Sequence, residues 1–185
     1  MKKQTKIPAI LVLSAIMLIC LGIDFITGGM LNNWFGIVPR DSDYLLGILM
    51  HPFAHFGINH FISNFTVFIV LGFFLRLSYS NTQIYLLFFS LAILGGLFTW
   101  IFASRGLHGG ASGVVFGMWS SLITFAIKRR KIKDIIIGIT IAVMYGASFI
   151  LGVIPQRYVS FEGHFFGIVA GVLIALITIK FEKKK

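Results

Sequence analysis

Apolar runs of about twenty residues, returning through the chain between short polar breaks, constrain its fold more than any other feature. They fall at residues 7–27, 51–75, 84–104, 112–127, 135–155 and 163–179. A helix of roughly 20 residues crosses a hydrocarbon layer of about 30 Å, where no water satisfies open backbone groups. The runs therefore predict an all-α, polytopic membrane protein with six transmembrane helices. Of 185 residues, 57% are apolar and 12% are charged, and six crossings consume roughly 120 residues. No room remains for a soluble catalytic or binding domain, so residues 1–185 read as a single membrane domain. The first run is longer than a signal-peptide core and lacks a small-residue cleavage site, so it reads as a retained helix. Cys20 is the one cysteine, which excludes a disulfide framework and a thiolate metal cage. With Ile19 before it, a lipoprotein signal is not expected.

The formal charge of +10 acquires its meaning from placement. Lys2, Lys3, Lys6, Arg76, Lys128, Arg129, Arg130, Lys131, Lys133, Lys180, Lys183, Lys184 and Lys185 fall on one side of the predicted spans. Arg40, Arg105 and Arg157 fall on the other. This bias predicts a multi-pass protein of a cell membrane, with both termini cytoplasmic and the loops around residues 28–50, 105–111 and 156–162 outside. Basic clusters so placed meet anionic lipid of the bilayer, and no nucleic-acid partner is expected. The first outer loop carries Trp34, Phe35, Ile37 and Val38 ahead of its polar stretch, and Tyr44, Leu45 and Leu46 after it. It reads as lying in the membrane interface.

Polar side chains inside spans are costly, and each is a functional hypothesis. Here they are His51, His55, His60, Asn64, Ser112 and His164, with His108 just before the fourth span. His60, Ser112 and His164 each stand sixteen residues before a basic residue, Arg76, Lys128 and Lys180, on helices predicted to run in one direction. At 1.5 Å per residue, all three lie at one level, roughly 24 Å above the basic end. His60 and Asn64, four apart, share a helix face. Gly167 and Gly171 follow His164 close to its own face, where small residues let a second helix approach. In Gly109-Gly110-Ala111-Ser112-Gly113, glycines free the backbone just before a helix begins. A serine there has open N–H groups and a positive dipole end beside it, which suits a developing oxyanion. A base must still take its proton, and His164 is the candidate at that level.

These motifs together resemble the rhomboid family of intramembrane serine proteases. The resemblance rests on His51-x3-His55-x4-His60-x3-Asn64, on Gly110-Ala111-Ser112-Gly113 and on His164-x2-Gly167-x3-Gly171, in this order over the second to sixth spans. It implies a rhomboid-like bundle and a serine endopeptidase acting on transmembrane protein substrates, without a cofactor or metal. By this resemblance Ser112 is the nucleophile and His164 the general base and acid. His60, Asn64 and the Ser112 N–H form the oxyanion pocket, and Gly110 shapes the loop beside it. Phe116 stands where the family often has tyrosine, and its ring is expected to pack on His164. One departure is plain: a tryptophan-arginine pair common about eight residues before the second histidine is absent, and Gly47 stands there.

Other readings remain beside this one. A non-catalytic relative that binds transmembrane helices need not keep both Ser112 and His164. A histidine-based proton channel predicts polar groups strung through the membrane, whereas these gather near one side. His51 and His55, four apart, are read as a structural pair turned off the face of His60, and His108 as a solvated loop residue. Asp24 finds no partner from sequence. Glu162 is expected on another side of the helix from His164.

Overall fold

The structure is a computed structural model that describes residues 7–156 and 159–182. Lys2, Lys3, Lys6, Arg157, Lys183, Lys184 and Lys185, which entered the orientation argument, lie outside the described residues.

Helices make up almost all of the fold, and among the described residues the one β-type pairing is an isolated bridge between Ile37 and His108. Among the described residues, five helices are long and apolar enough to cross a membrane: α1 (Ala9–Ile26), α4 (Ile58–Arg76), α5 (Asn81–Phe102), α7 (Ile132–Gly152) and α8 (Phe161–Glu182). Between the first two lie the short helices α2 (Met30–Phe35) and α3 (Gly47–Met50).

A different composition marks α6 (Ser112–Arg129), which carries Ser112, Ser120, Ser121 and Thr124 together with Gly113 and Gly117. Eleven of its 18 residues are buried, because α4, α5, α7 and α8 pack around it. A helix surrounded by protein needs no apolar face toward lipid, so its hydroxyls are free to bind neighbours. Ser120 Oγ donates to the Ile168 carbonyl at 3.0 Å, and Ser121 Oγ to that of Gly171 at 3.0 Å. The small residues of α8 behave as their spacing predicts. A Cβ at Gly167 would overlap the Gly113 carbonyl, and one at Gly171 the Gly117 carbonyl.

Hydropathy placed the helices but not all their ends. The second run, expected from residue 51, becomes helical only at Ile58. His51–Phe53 is a 3-10 turn with Pro52 inside it, and Gly57, at φ 108°, turns the chain before α4 begins. The third helix starts at Asn81 rather than 84, because Ser80 and Gln83 form a reciprocal capping box. The fifth spans 132–152 rather than 135–155, its end preceding Pro155. The fourth runs on to Arg129, and the sixth covers 161–182.

The long first loop is tied to the bundle by polar contacts that reach across the sequence. Arg40, itself left-handed at φ 61°, donates to the carbonyls of Ile101 and Ala103 at 3.1 and 2.7 Å. Trp100 Nε1 donates to the Asp41 carbonyl at 3.0 Å. Gly47 sits so close to the Gly36 carbonyl that any Cβ there would collide with it. Anchoring thus comes from these contacts, and the glycine at 47 is what the close approach requires.

At the basic end, Arg129 closes α6 against its neighbours. Its guanidinium lies 3.8 Å from the Phe125 ring centre, 3.8 Å from the Asp134 carboxylate and 2.6 Å from Glu182. Tyr79 packs beside Phe125, and burial pushes its phenol up to about 12. The Lys133 ammonium donates to the Leu77 carbonyl.

Candidate active site

His60, Ser112 and His164, expected at one level, come together in the structure. All three line one cavity of about 1050 Å³, with Asn64 and Phe116 beside them. Three helices supply the groups: His60 and Asn64 come from the first two turns of α4, Ser112 from the first residue of α6, and His164 from the first turn of α8.

The loop before α6 is built backbone first. The Gly110 N–H donates to the His51 carbonyl at 2.9 Å, and the Ala111 N–H donates to His55 Nε2 at 3.3 Å. The Ser112 N–H has no acceptor among the described residues, and the first α6 bond runs from Val115 to Ala111. The helix therefore opens with free N–H groups beside the serine. Gly110, at φ 114°, lies against His60, and a Cβ there would come within 2.6 Å of the imidazole Cε1 and 3.3 Å of Asn64 Nδ2. Asn64 Nδ2 is buried without a hydrogen-bond acceptor, a donor held ready for one.

His164 is fixed on two sides. Its Nδ1–H donates to the Gly152 carbonyl at 2.7 Å, and its ring stacks on Phe116 at 4.1 Å between centres, 7° from parallel. The packing expected of Phe116 is thus present, and Phe116 is held in turn by Phe149 at 4.3 Å. Ser112 and His164 face the same cavity without a hydrogen bond between them. In resting sites such contacts are often long and tighten when substrate binds. Behind Ser112 a second void of about 20 Å³, bordered by His51, Thr99 and Gly163, is large enough for one water.

Several histidine expectations need correction. His51 and His55 do not pair with each other, because neither lies in an α-helix and α-helical spacing does not apply to them. His51 Nδ1 donates to the Gly47 carbonyl at 3.2 Å, while the His55 ring lies 5.6 Å from that of His60. His108 is not solvated: it is 8% exposed, donates from Nε2 to the Ser104 carbonyl at 3.0 Å and accepts the Ser160 hydroxyl at Nδ1, 2.7 Å away. Glu162 also borders the cavity, where its carboxylate accepts the Ser104 N–H at 2.8 Å. Asp24 has a partner after all. Its carboxylate accepts the backbone and side-chain N–H of Asn32 at 2.8 and 2.5 Å, and the Asn32 amide oxygen accepts the His55 N–H at 2.7 Å. Gly152, Ser160 and Asn32 are positioning contacts that sequence reasoning missed, since nothing local distinguishes them. Among the described residues no cluster of three or more His, Cys, Asp or Glu has metal-binding geometry.

A multi-pass, all-helical membrane protein with a serine, an imidazole and an amide donor around one cavity is the class that fold and site define. A family model of the Rhomboid domain matches residues 42–181, and the chain belongs to the rhomboid family. It is also similar to uncharacterized proteins of Mycobacterium bovis and Mycobacterium tuberculosis, 35% identical over 159 residues, which is 80% of this chain. An uncharacterized protein of Mycobacterium leprae is 33% identical over 172 residues, covering 88% of this chain and 67% of its own. The aligned part spans 65% of the length of the bovis and tuberculosis proteins.

Proposed function

We propose that this protein is an intramembrane serine protease, hydrolysing peptide bonds in or next to transmembrane helices of membrane protein substrates. The observation that carries the reading is the state of His164. A carbonyl can only accept, so Gly152 holds the proton on Nδ1 and leaves the Nε2 lone pair available in the cavity that Ser112 shares.

Ser112 Oγ attacks the scissile carbonyl as His164 Nε2 takes its proton, and the same proton passes to the leaving amine. Water then attacks the acyl-enzyme with His164 again as base. The developing oxyanion is met by the Ser112 N–H, Asn64 Nδ2 and the His60 ring. The orphaned Asn64 donor and the snug Gly110 support this assignment. A substrate helix hides its carbonyls in its own hydrogen bonds, so it must unwind locally to reach the serine.

In this reading the chain is one rhomboid-like domain over residues 1–185. Helix α6 is the fourth of six spans, less apolar than the others because they enclose it. The protein sits in a cell membrane with both termini cytoplasmic and the site opening to the other side, and its neighbours are lipid and substrate helices. Labelling of the purified protein by a fluorophosphonate, with cleavage of a single-span substrate in liposomes, tests the reading. Both activities are expected in the wild type and in neither Ser112→Ala nor His164→Ala. A folded wild type that neither labels nor cuts overturns it.

A further inference from the structure

The last residue of α7 lies on Nδ1 of His164, the ring nitrogen that the proposed reaction does not use. Gly152 ends that helix, so its carbonyl is among the four that an α-helix leaves without a backbone partner. Val153 and Ile154 donate to Ile150 and Leu151, and the His164 ring is the sole donor to Gly152 O among the described residues. Helix C-terminal carbonyls also carry the negative end of the helix dipole. The approach depends on the absence of a side chain, because a Cβ at 152 would overlap the Phe116 ring and lie 3.4 Å from His164 Nδ1.

The geometry points to Gly152 as a positioning residue for the proposed protease, its main-chain carbonyl serving as the orienting third member that the Ser-His pair otherwise lacks. The inference rests on the protease reading for its catalytic half only. Gly152 O holds the imidazole as the Nδ1–H tautomer, so that the Nε2 lone pair is the one available to the Ser112 proton. When Nε2 is protonated, the ring carries a positive charge, and the Nδ1–H···O=C bond becomes charge-assisted and stronger. The proton moves from Ser112 Oγ to Nε2 and on to the leaving amine, while Gly152 O gains none. An uncharged carbonyl at a helix end thus does the orienting work of the buried carboxylate in a triad, where loss of the correct tautomer costs roughly 10⁴-fold. Since the carbonyl belongs to α7 and the imidazole to α8, the strength of the base depends on where α7 ends.

Two measurements on the full chain in liposomes test this. Nitrogen-15 NMR of histidine-labelled protein, with the His164 signal assigned by its loss in His164→Gln, is expected to show Nδ1 protonated and Nε2 bare. The reverse tautomer overturns the proposal whether or not the protein is active. Fluorophosphonate labelling is then compared for Gly152→Ala and for a chain whose 152–153 amide is replaced by an ester, which weakens the Gly152 carbonyl while keeping every side chain. An ester at 153–154, which removes the Ile154 N–H and leaves Gly152 O intact, is the control. Labelling is expected to slow by about tenfold or more in Gly152→Ala and about fivefold in the first ester, with the control ester within about twofold of wild type. Equal rates in the two esters overturn the proposal even if Gly152→Ala fails to fold. A wild type that shows the Nδ1–H tautomer but never labels sinks the protease reading and the catalytic half of this inference, leaving the hydrogen bond measured on its own.

Discussion

A buried amide donor with no acceptor is uncomfortable unless something arrives to use it, and Asn64 Nδ2 is in that position. Replacing Asn64 by Ala is expected to lower kcat by roughly 10²-fold while changing KM little, since the donor acts on charge that appears only in the transition state. Steady-state cleavage of a single-span substrate separates the two constants, and a change confined to KM would place Asn64 in ground-state binding instead. Gly110→Ala drives a methyl into the His60 ring from a left-handed backbone and should suppress labelling at least as strongly. At this scale the candidate residues were legible because burying Ser, His and Asn in an apolar run requires a reason. What His51, His55 and His108 touch was not. Their partners at Gly110, Ala111 and Ser160 are brought to them by tertiary folding, and helical spacing had no purchase on a segment broken by Pro52 and Gly57.

Between elements, the contact of α6 with α8 decides whether Ser112 and His164 meet at all. Its closeness depends on Gly113 and Gly117 facing Gly167 and Gly171, with hydroxyls sealing the seam. Gly167→Ala puts a Cβ on the Gly113 carbonyl, one residue from the serine, and is expected to cost about 1–3 kcal/mol of stability. An unfolding titration in SDS reads the loss of stability, and a stability within a few tenths of a kcal/mol of wild type would show that the helices give way easily. Sequence located this seam through glycine spacing after His164. It located helix interiors through hydropathy, yet misplaced several ends, because capping at Ser80 and the turn at Gly57 are decided by a few polar or flexible residues. The modest hydropathy of α6 has a physical cause of the same kind, for a helix enclosed by others is relieved of the need to dissolve in lipid.

For the molecule as a whole, the basic residues carry two separable roles. Arg129, its side chain 8% exposed, faces Asp134 across 3.8 Å. Arg129→Leu would leave that buried carboxylate unpaired at a cost of roughly 3 kcal/mol, read by the same SDS titration. The exposed lysines and arginines around it are instead proposed to set direction. A fluorescent protein fused at the C-terminus is expected to fluoresce inside bacterial cells, and alkaline phosphatase inserted near Arg105 to be active outside; the opposite pattern would invert the orientation. One chain of contacts crosses a boundary that the family match does not. Asp24 on α1 holds Asn32, Asn32 holds His55, and His55 holds the Ala111 N–H next to Ser112, whereas the matched region begins at residue 42. The stretch that the family model matches is therefore shorter than the piece of matter that keeps the serine in place. Anyone trimming or transplanting residues 42–181 alone would carry away the motifs and leave behind the strut on which one of them leans.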